Sequence, residues 1–264
     1  MRLGVIGHGA IGRAVVAAWR RGGLGPKVDV AAVLVRRPRS GSADRLLTHE
    51  PGCFFAEPLD VVLECAGHPA VRDHGVRCLE AGADLVLTSV GALVDEALQA
   101  RLHAAAEHSG VRLIIASAGI GALDILAAAA VGGLERVTVT VRKDPSAWYG
   151  TAAESSCDLG ALAAPRTLFD GSVRDGAGRY PQNVNISAAA ALAGIGLDRT
   201  RLVIVVDPAL RRHVVEIEAD GVFGCFSFRE EVEPSASNPK TGTLVAMAVI
   251  KTIRQLAAPV TVGG

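Results

Sequence analysis

"RLGVIGHGAIGRAVVAAWRRGG", Arg2 to Gly23, opens on small and apolar residues, crosses three spaced glycines, and runs on through alanine and valine to a basic end. Leu3 to Ile6 reads as a buried strand and the run after Gly12 as a helix. The connection is a G-x-G-x-x-G. Gly7 permits a tight turn, Gly9 lets a pyrophosphate approach the backbone, and Gly12 lets helix and strand pack closely. At the helix start, the N–H groups of Ala10, Ile11 and Gly12 have no partner within the helix and form an anion site. A glycine turn alone means little. Here a strand precedes it, a helix follows, and a second strand comes next in "VDVAAVLVRR", the setting a dinucleotide-binding loop requires. The expected cofactor is NADP or NAD.

The end of the second strand meets the adenosine ribose. An acidic residue there selects NAD, and a positive group accommodates the 2′-phosphate of NADP. This chain has Arg36 and Arg37, then Pro38 and Arg39. They read either as an NADP-tolerant site or as a solvated basic turn. Two further βα units follow. "LDVVLECAGHPAVRDHGVRCLEAGA" gives a strand from Val61 to Cys65 and a loop of Ala66, Gly67 and His68; "DLVLTSVGALVDEALQARLHAAAEHSG" places Ser89, Val90 and Gly91 in the loop after its strand. In a parallel sheet, ligands lie beyond the carboxyl ends of the strands, so both loops are expected at the cofactor. His68 also reads as a loop-capping histidine.

After "RLIIASAGIGALDILAAAA" the pattern changes. "LERVTVTVRKDPSAW", "RLVIVVDP", "HVVEIEA" and "FGCFSFREEVE" alternate like half-exposed strands, with a loop or short-helix region (156–183) and an alanine-rich helix among them. Such grouping predicts an α+β sheet domain. The ending "SNPKTGTLVAMAVIKTIRQLAA" predicts a helix with Asn238 as N-cap and Pro239 in its first turn, packing back on the first domain. The fold class is therefore α/β. Residues 1–117 with 239–264 are expected to form a Rossmann domain, and 118–238 a substrate and dimerisation domain.

Composition narrows the function. Half of the 264 residues are hydrophobic, enough for a sizeable core, while 27 basic and 27 acidic residues cancel. That balance gives no electrostatic reason to expect nucleic acid or an anionic membrane. No apolar run approaches the roughly 18 residues of a membrane span. Because "MRLGVIGHGAIG" enters a strand at once, no signal peptide is expected and the chain reads as cytoplasmic. Cys53, Cys65, Cys78, Cys157 and Cys225 are widely spaced, and read as reduced, mostly buried residues without a disulfide frame or metal site.

Several stretches together resemble the L-aspartate dehydrogenase family: "GHGAIGRAV", "ECAGHPAVRDHG", "TSVGAL", "SAGIGALD", "PQNVN", Asp207-Pro208, "GVFG" and "SNPKTGTL", in order over nearly the whole chain. The resemblance implies interconversion of L-aspartate with iminosuccinate, and so oxaloacetate plus ammonia, with NAD or NADP, in a homodimer. It places Gly119, where the family turn usually has alanine, and Asn183 or Asn185 at cofactor-contacting positions. The family pattern after Asp-Pro is four residues, then N-x-H. Anchored on Asp207-Pro208 and on Gly221 to Gly224, that pattern sets His213 on the asparagine position and Val215 on the histidine position. Residues two apart on a strand share a face at roughly 6–7 Å, so His213 is the candidate acid/base from a displaced origin. It also reads as a structural strand histidine, or as the asparagine substitute holding a loop or the nicotinamide amide.

Hydride transfer from Cα calls for a base to take a proton from the amine or the attacking water, and imidazole suits that near pH 7. A dicarboxylate calls for cations: Arg142 and Lys143 end "VTVRK", and Lys240 stands in "NPKT". Asp124 follows "SAGIGAL" as a helix-terminal carboxylate or as a group that orients the substrate amine. Two alternatives stay open beside L-aspartate: a related imine or keto-acid reductase, and a nucleotide-binding pseudoenzyme without the base.

Overall fold

The computed structural model describes residues 1–37, 44–117, 120–181, 184–235 and 238–263, with 238–241 described by backbone alone. The chain divides into two units, Met1–Ala116 with Ala246–Val262, and a second built on Ser117–Val245.

The first unit runs β1 (Arg2–Ile6), α1 (Ala10–Arg20), β2 (Asp29–Leu34), β3 (Leu47–Thr48), α2 (Pro51–Phe55), β4 (Val61–Glu64), α3 (His68–Glu80), β5 (Asp84–Leu87), α4 (Glu96–Ser109) and β6 (Leu113–Ile115). Its six strands lie in the order β3-β2-β1-β4-β5-β6, every pair parallel. Strand order reverses between β1 and β4, and dinucleotides bind in the crevice outside the carboxyl ends at such a reversal. Apolar runs form these strands because both faces are covered. Leu3, Val5, Val61 and Leu63 are buried, and Val15 and Val16 of α1 pack into the same core. Helix boundaries follow local chemistry. The Asp95 side chain accepts the Leu98 N–H at the start of α4, and Gly110 ends that helix in the left-handed region.

The second unit runs α5 (Leu123–Gly132), β7 (Leu134–Lys143), β8 (Arg166–Ser172), α6 (Val173–Arg179), α7 (Asn185–Ala193), β9 (Arg201–Val206), β10 (His213–Gly221), β11 (Gly224–Val232), β12 (Pro234–Ser235) and β13 (Asn238–Gly242). Its main sheet has the order β11-β10-β7-β9-β8, with β7 and β9 parallel and the other pairs antiparallel. Register explains the alternation seen in sequence. Val137, Val139 and Val141 pair with Ala219, Ile217 and Val215, all buried, while Thr140 and Arg142 pair with Glu216 and Val214 on the other face. Helices α5 and α7 pack against β10 and β7.

The last helix, α8 (Leu244–Ala257), crosses from one unit to the other, and its Val249 and Ile253 are fully buried in the core of the first unit. Each such side chain contributes about 1.5–3 kcal/mol by leaving water.

Three expectations are corrected. Asn238 is not an N-cap and Pro239 is not in a helix. Pro234 pairs with Gly242 and Ser235 with Asn238, so that backbone is extended and the helix starts only at Leu244. The segment read as loop or short helix contains edge strand β8 as well as α6; its Asp-Gly-Ser ending and a register shift between Thr167 and Phe169 hide the alternation. Of the five cysteines, all free thiols, only Cys78 is buried; Cys53 and Cys225 are exposed.

Candidate functional site

In the first unit the glycine loop is built from backbone constraints. Gly7 leaves β1 at φ +107°, a conformation that L side chains rarely adopt. A Cβ at Gly12 would collide with the Gly7 carbonyl oxygen, so α1 starts directly against the turn. A Cβ at Gly9 would meet nothing within 4 Å, which leaves open space at the helix mouth. No side chain caps α1 and its first turn holds no acidic residue. The N–H groups of Ala10 and Ile11 therefore stand at an uncompensated positive helix end, where a phosphate is stabilised. The Gly12 N–H is instead turned toward the Cys65 sulfur.

Beside this loop lies a cavity of about 460 Å³ whose lining includes Gly7, Gly9, Arg36, Arg37 and Ala66. It brings the glycine loop, the end of β2 and the loop after β4 together. Both arginines are exposed, as contact with a phosphate would need. The shape and charge fit the adenosine half of a dinucleotide. Gly67 and His68 stand at the start of α3 but do not line the cavity. Ser89, Val90 and Gly91 lie one strand further, buried in a short 3₁₀ turn at Val90–Val94 and the residue before it.

Glu64, at the end of β4, ties these loops together. Its Oε1 accepts the N–H groups of Ala66 (2.7 Å) and Gly67 (2.8 Å) and the Ser89 hydroxyl (3.0 Å), and its Oε2 accepts the Ser89 N–H (3.1 Å). The residue is 1% exposed. Burial raises its pKa, and the hydrogen bonds from Gly67, Ala66 and Ser89 oppose that rise. Glu64 was not among the sequence candidates. Its signal was there: an acidic residue closing the buried apolar run "VVLE".

In the second unit a polar group collects on one face of the sheet. Register pairs Val214 with Arg142 and Val215 with Val141, so His213 and Lys143 each lie one step beyond, at the same end and on the face of Val215 and Val141. Both are buried, Lys143 at 4% and His213 at 3% exposure. The Lys143 Nζ lies 5.9 Å from the centroid of the Trp148 ring, a cation–π distance. The Lys143 carbonyl accepts the Asp207 N–H at 2.9 Å and the Trp148 indole N–H at 3.3 Å, which fixes the strand end. Arg142 points to the opposite face, where its Nε lies 3.4 Å from Glu216.

Glu230 of β11 pairs with Val215 and completes the face. It too was missed, although the parity of Phe226, Phe228 and Glu230 sets an acidic residue where an apolar one is expected.

Asp124 lies exposed in the first turn of α5, and Asn185 is the first residue of α7. Gly119 and Asn183 lie outside the described residues, as do Pro38 and Arg39 and the side chain of Lys240.

Comparison with known proteins places these observations. Residues 124–256 match the family described as aspartate dehydrogenase, C-terminal, and residues 7–116 match the homoserine dehydrogenase NAD-binding domain. The L-aspartate dehydrogenase of Ruegeria pomeroyi is 41% identical over 98% of this chain and 94% of its own length. That of Pseudomonas aeruginosa is 40% identical over 94% of this chain and 95% of its own. Among solved structures, the aspartate dehydrogenase of Thermotoga maritima superposes with a TM-score of 0.80 at 22% identity, covering 100% of this chain and 99% of that one.

Proposed function

Because the chain belongs to the L-aspartate dehydrogenase family, we infer that it interconverts L-aspartate with iminosuccinate, hence oxaloacetate and ammonia, using NAD or NADP. When bound, the cofactor supplies the hydride acceptor at its nicotinamide ring. The protein supplies binding, orientation and proton transfer.

Gly7, Gly9 and the α1 N–H groups of Ala10 and Ile11 would hold the pyrophosphate, with Gly12 setting the helix against the turn. Arg36 and Arg37, which line the same cavity, would hold a 2′-phosphate and so favour NADP. Ala66, Gly67, His68 and Ser89 to Gly91 form the adjoining cofactor loops, which Glu64 holds at Ala66, Gly67 and Ser89. Gly119, Asn183 and Asn185 stand at cofactor positions by family resemblance. Lys143 is the cation for a substrate carboxylate, with Lys240 and Asp124 as further substrate contacts. His213, on the face of Val215, belongs to the acid/base group.

One observation supports this reading most strongly. A buried lysine and an imidazole share one face and one end of the second sheet, which sets a cation for a carboxylate beside the polar group that a dicarboxylate amine requires. The protein is further read as cytoplasmic and as a homodimer through this unit. The outward sheet face carries Arg142, Glu216, Arg229 and Glu231 in ion pairs, so such an interface would be polar.

The test is the reductive direction with oxaloacetate, nitrogen-15 ammonium and NADPH. Labelled aspartate is the expected product. A 2-hydroxy acid would instead identify a keto-acid reductase, and no product at all, with cofactor bound, a pseudoenzyme.

A further inference from the structure

Glu230 stands apart from the other carboxylates of the second unit. Arg229 and Glu231 beside it point to the opposite face and pair with Glu216 and with each other. Glu230 turns to the inward face, directly across from Val215 and two positions from the pair His213–Val232. Directly opposed side chains have Cβ atoms about 4.5–5.5 Å apart, and diagonal ones about 7–8 Å. Its carboxylate accepts the Gly121 N–H at 3.3 Å. Among the described residues its other oxygen, Oε1, is buried without a hydrogen-bond partner. Gly121 belongs to the loop before α5, and the next residue, Ala122, is in the left-handed region at φ 62°. An alanine is held there only when its surroundings over-determine it, so the turn that meets Glu230 is fixed in place.

We propose that Glu230, rather than His213, is the group that accepts the substrate proton, with His213 as a positioning residue beside it. The assignment rests on the aspartate dehydrogenase reading above. The Glu230 carboxylate takes a proton from the substrate ammonium, and the N–H bond pair stays on nitrogen. The free amine lone pair would then form the C=N bond as hydride is lost from Cα, the nicotinamide being the two-electron acceptor when bound, and the carboxyl returns its proton to solvent. In the hydrolytic half, the same carboxylate takes a proton from the water that adds to the imine carbon as the C=N π pair moves to nitrogen; the carboxyl gives that proton to the nitrogen, and the C–N bond breaks to leave the ketone and ammonia. Family resemblance sets the usual histidine at Val215, and Glu230 brings a proton acceptor to that place from the neighbouring strand.

The environment suits the task. Burial pushes the Glu230 carboxyl up to about 7, with the Gly121 N–H opposing. Among the described residues, the charged or titratable groups on the inward face of the packed strands are His213 on β10 and Lys143 on β7, with Asp124 in the first turn of α5; β11 itself turns Arg229 and Glu231 away.

Steady-state oxidation of L-aspartate by the full chain with saturating cofactor tests the assignment through Glu230→Gln, Glu230→Asp and His213→Asn. Activity of wild type should rise with pH through about 7, as the carboxyl ionises. Glu230→Gln should lower kcat by about 10²-fold or more, leave the KM for aspartate within about threefold, and remove that limb. Glu230→Asp should restore part of the rate and the limb, and His213→Asn should keep the limb. Retention of rate and limb in Glu230→Gln, or loss of the limb in His213→Asn, would overturn the proposal. Carbon-13 NMR of side-chain-labelled glutamate in the cofactor-free protein gives an independent reading. A resonance missing from Glu230→Gln should titrate near 7, and titration near the ordinary 4.5 would overturn the assignment. Should wild type not oxidise aspartate at all, the substrate reading falls, and the NMR titration still decides the state of Glu230.

Discussion

Replacing Glu64 by glutamine keeps the shape of the group that joins the two loops but removes one acceptor. The amide oxygen can take the place of Oε1 and keep its three donors, Ala66 N–H, Gly67 N–H and the Ser89 hydroxyl. The amide NH₂ then faces the Ser89 N–H, which now meets a carboxylate oxygen at 3.1 Å. Two donors in that contact leave a buried N–H unsatisfied, at a cost of about 1–3 kcal/mol. The three remaining bonds also lose their charge assistance, while the variant gains by not burying a charge. Urea unfolding should therefore show about 1–3 kcal/mol of destabilisation near pH 7, and NADP affinity should fall about tenfold as the loops shift. The pH dependence has a fixed sign. Because burial raises the Glu64 pKa above 4.5, the folded state binds this proton more readily than the unfolded one. The stability from that protonation is complete below 4.5 and is lost as pH rises through the folded value; glutamine removes the slope. A variant as stable as wild type within about 0.5 kcal/mol, with unchanged cofactor affinity, would refute the role assigned to Glu64.

Arg36→Asp combined with Arg37→Ala should weaken NADP binding by roughly 10- to 100-fold, the worth of one or two charged hydrogen bonds, with NAD affinity moving far less. Equal loss for both cofactors in a fluorescence titration would show that these arginines are not the 2′-phosphate site. Gly12→Ala forces a methyl onto the Gly7 carbonyl, so about 1–3 kcal/mol of strain and a greater than tenfold loss of cofactor binding are expected by calorimetry. Ile253→Ala should destabilise the first unit by about 2–5 kcal/mol, because the side chain is fully buried beside Val249 in its core; an unfolding midpoint unchanged from wild type would contradict that packing.

The first unit was legible because its rules are local. A strand, three glycines at fixed spacing and a helix specify the turn at Gly7 and the contact of Gly12 without distant information, and apolar runs such as "VVL" mark strands covered on both faces. What remained hidden depends on partners far along the chain. Strand β8 is identified by pairing with β9 across about thirty residues, and its Asp-Gly-Ser end imitates a turn. Asn238-Pro239 carries genuine helix-start chemistry, yet the pairing of Pro234 with Gly242 overrides it. The candidate site divides in the same way. Arg36 and Arg37 could be placed from the strand that precedes them. Lys143 and His213 come to one sheet end only through the register of β7 and β10, and Glu64 and Glu230 acquire meaning only from the groups that surround them.

Nicotinamide absorbance with the purified chain, NADP or NAD, and a panel of L-aspartate, D-aspartate, L-glutamate and L-alanine measures the proposed activity itself. Reduction of the cofactor is expected with L-aspartate well above the other three, with oxaloacetate and ammonia appearing in equal amounts with it. Cofactor binding without reduction on L-aspartate, or a clear preference for another amino acid, would contradict that activity.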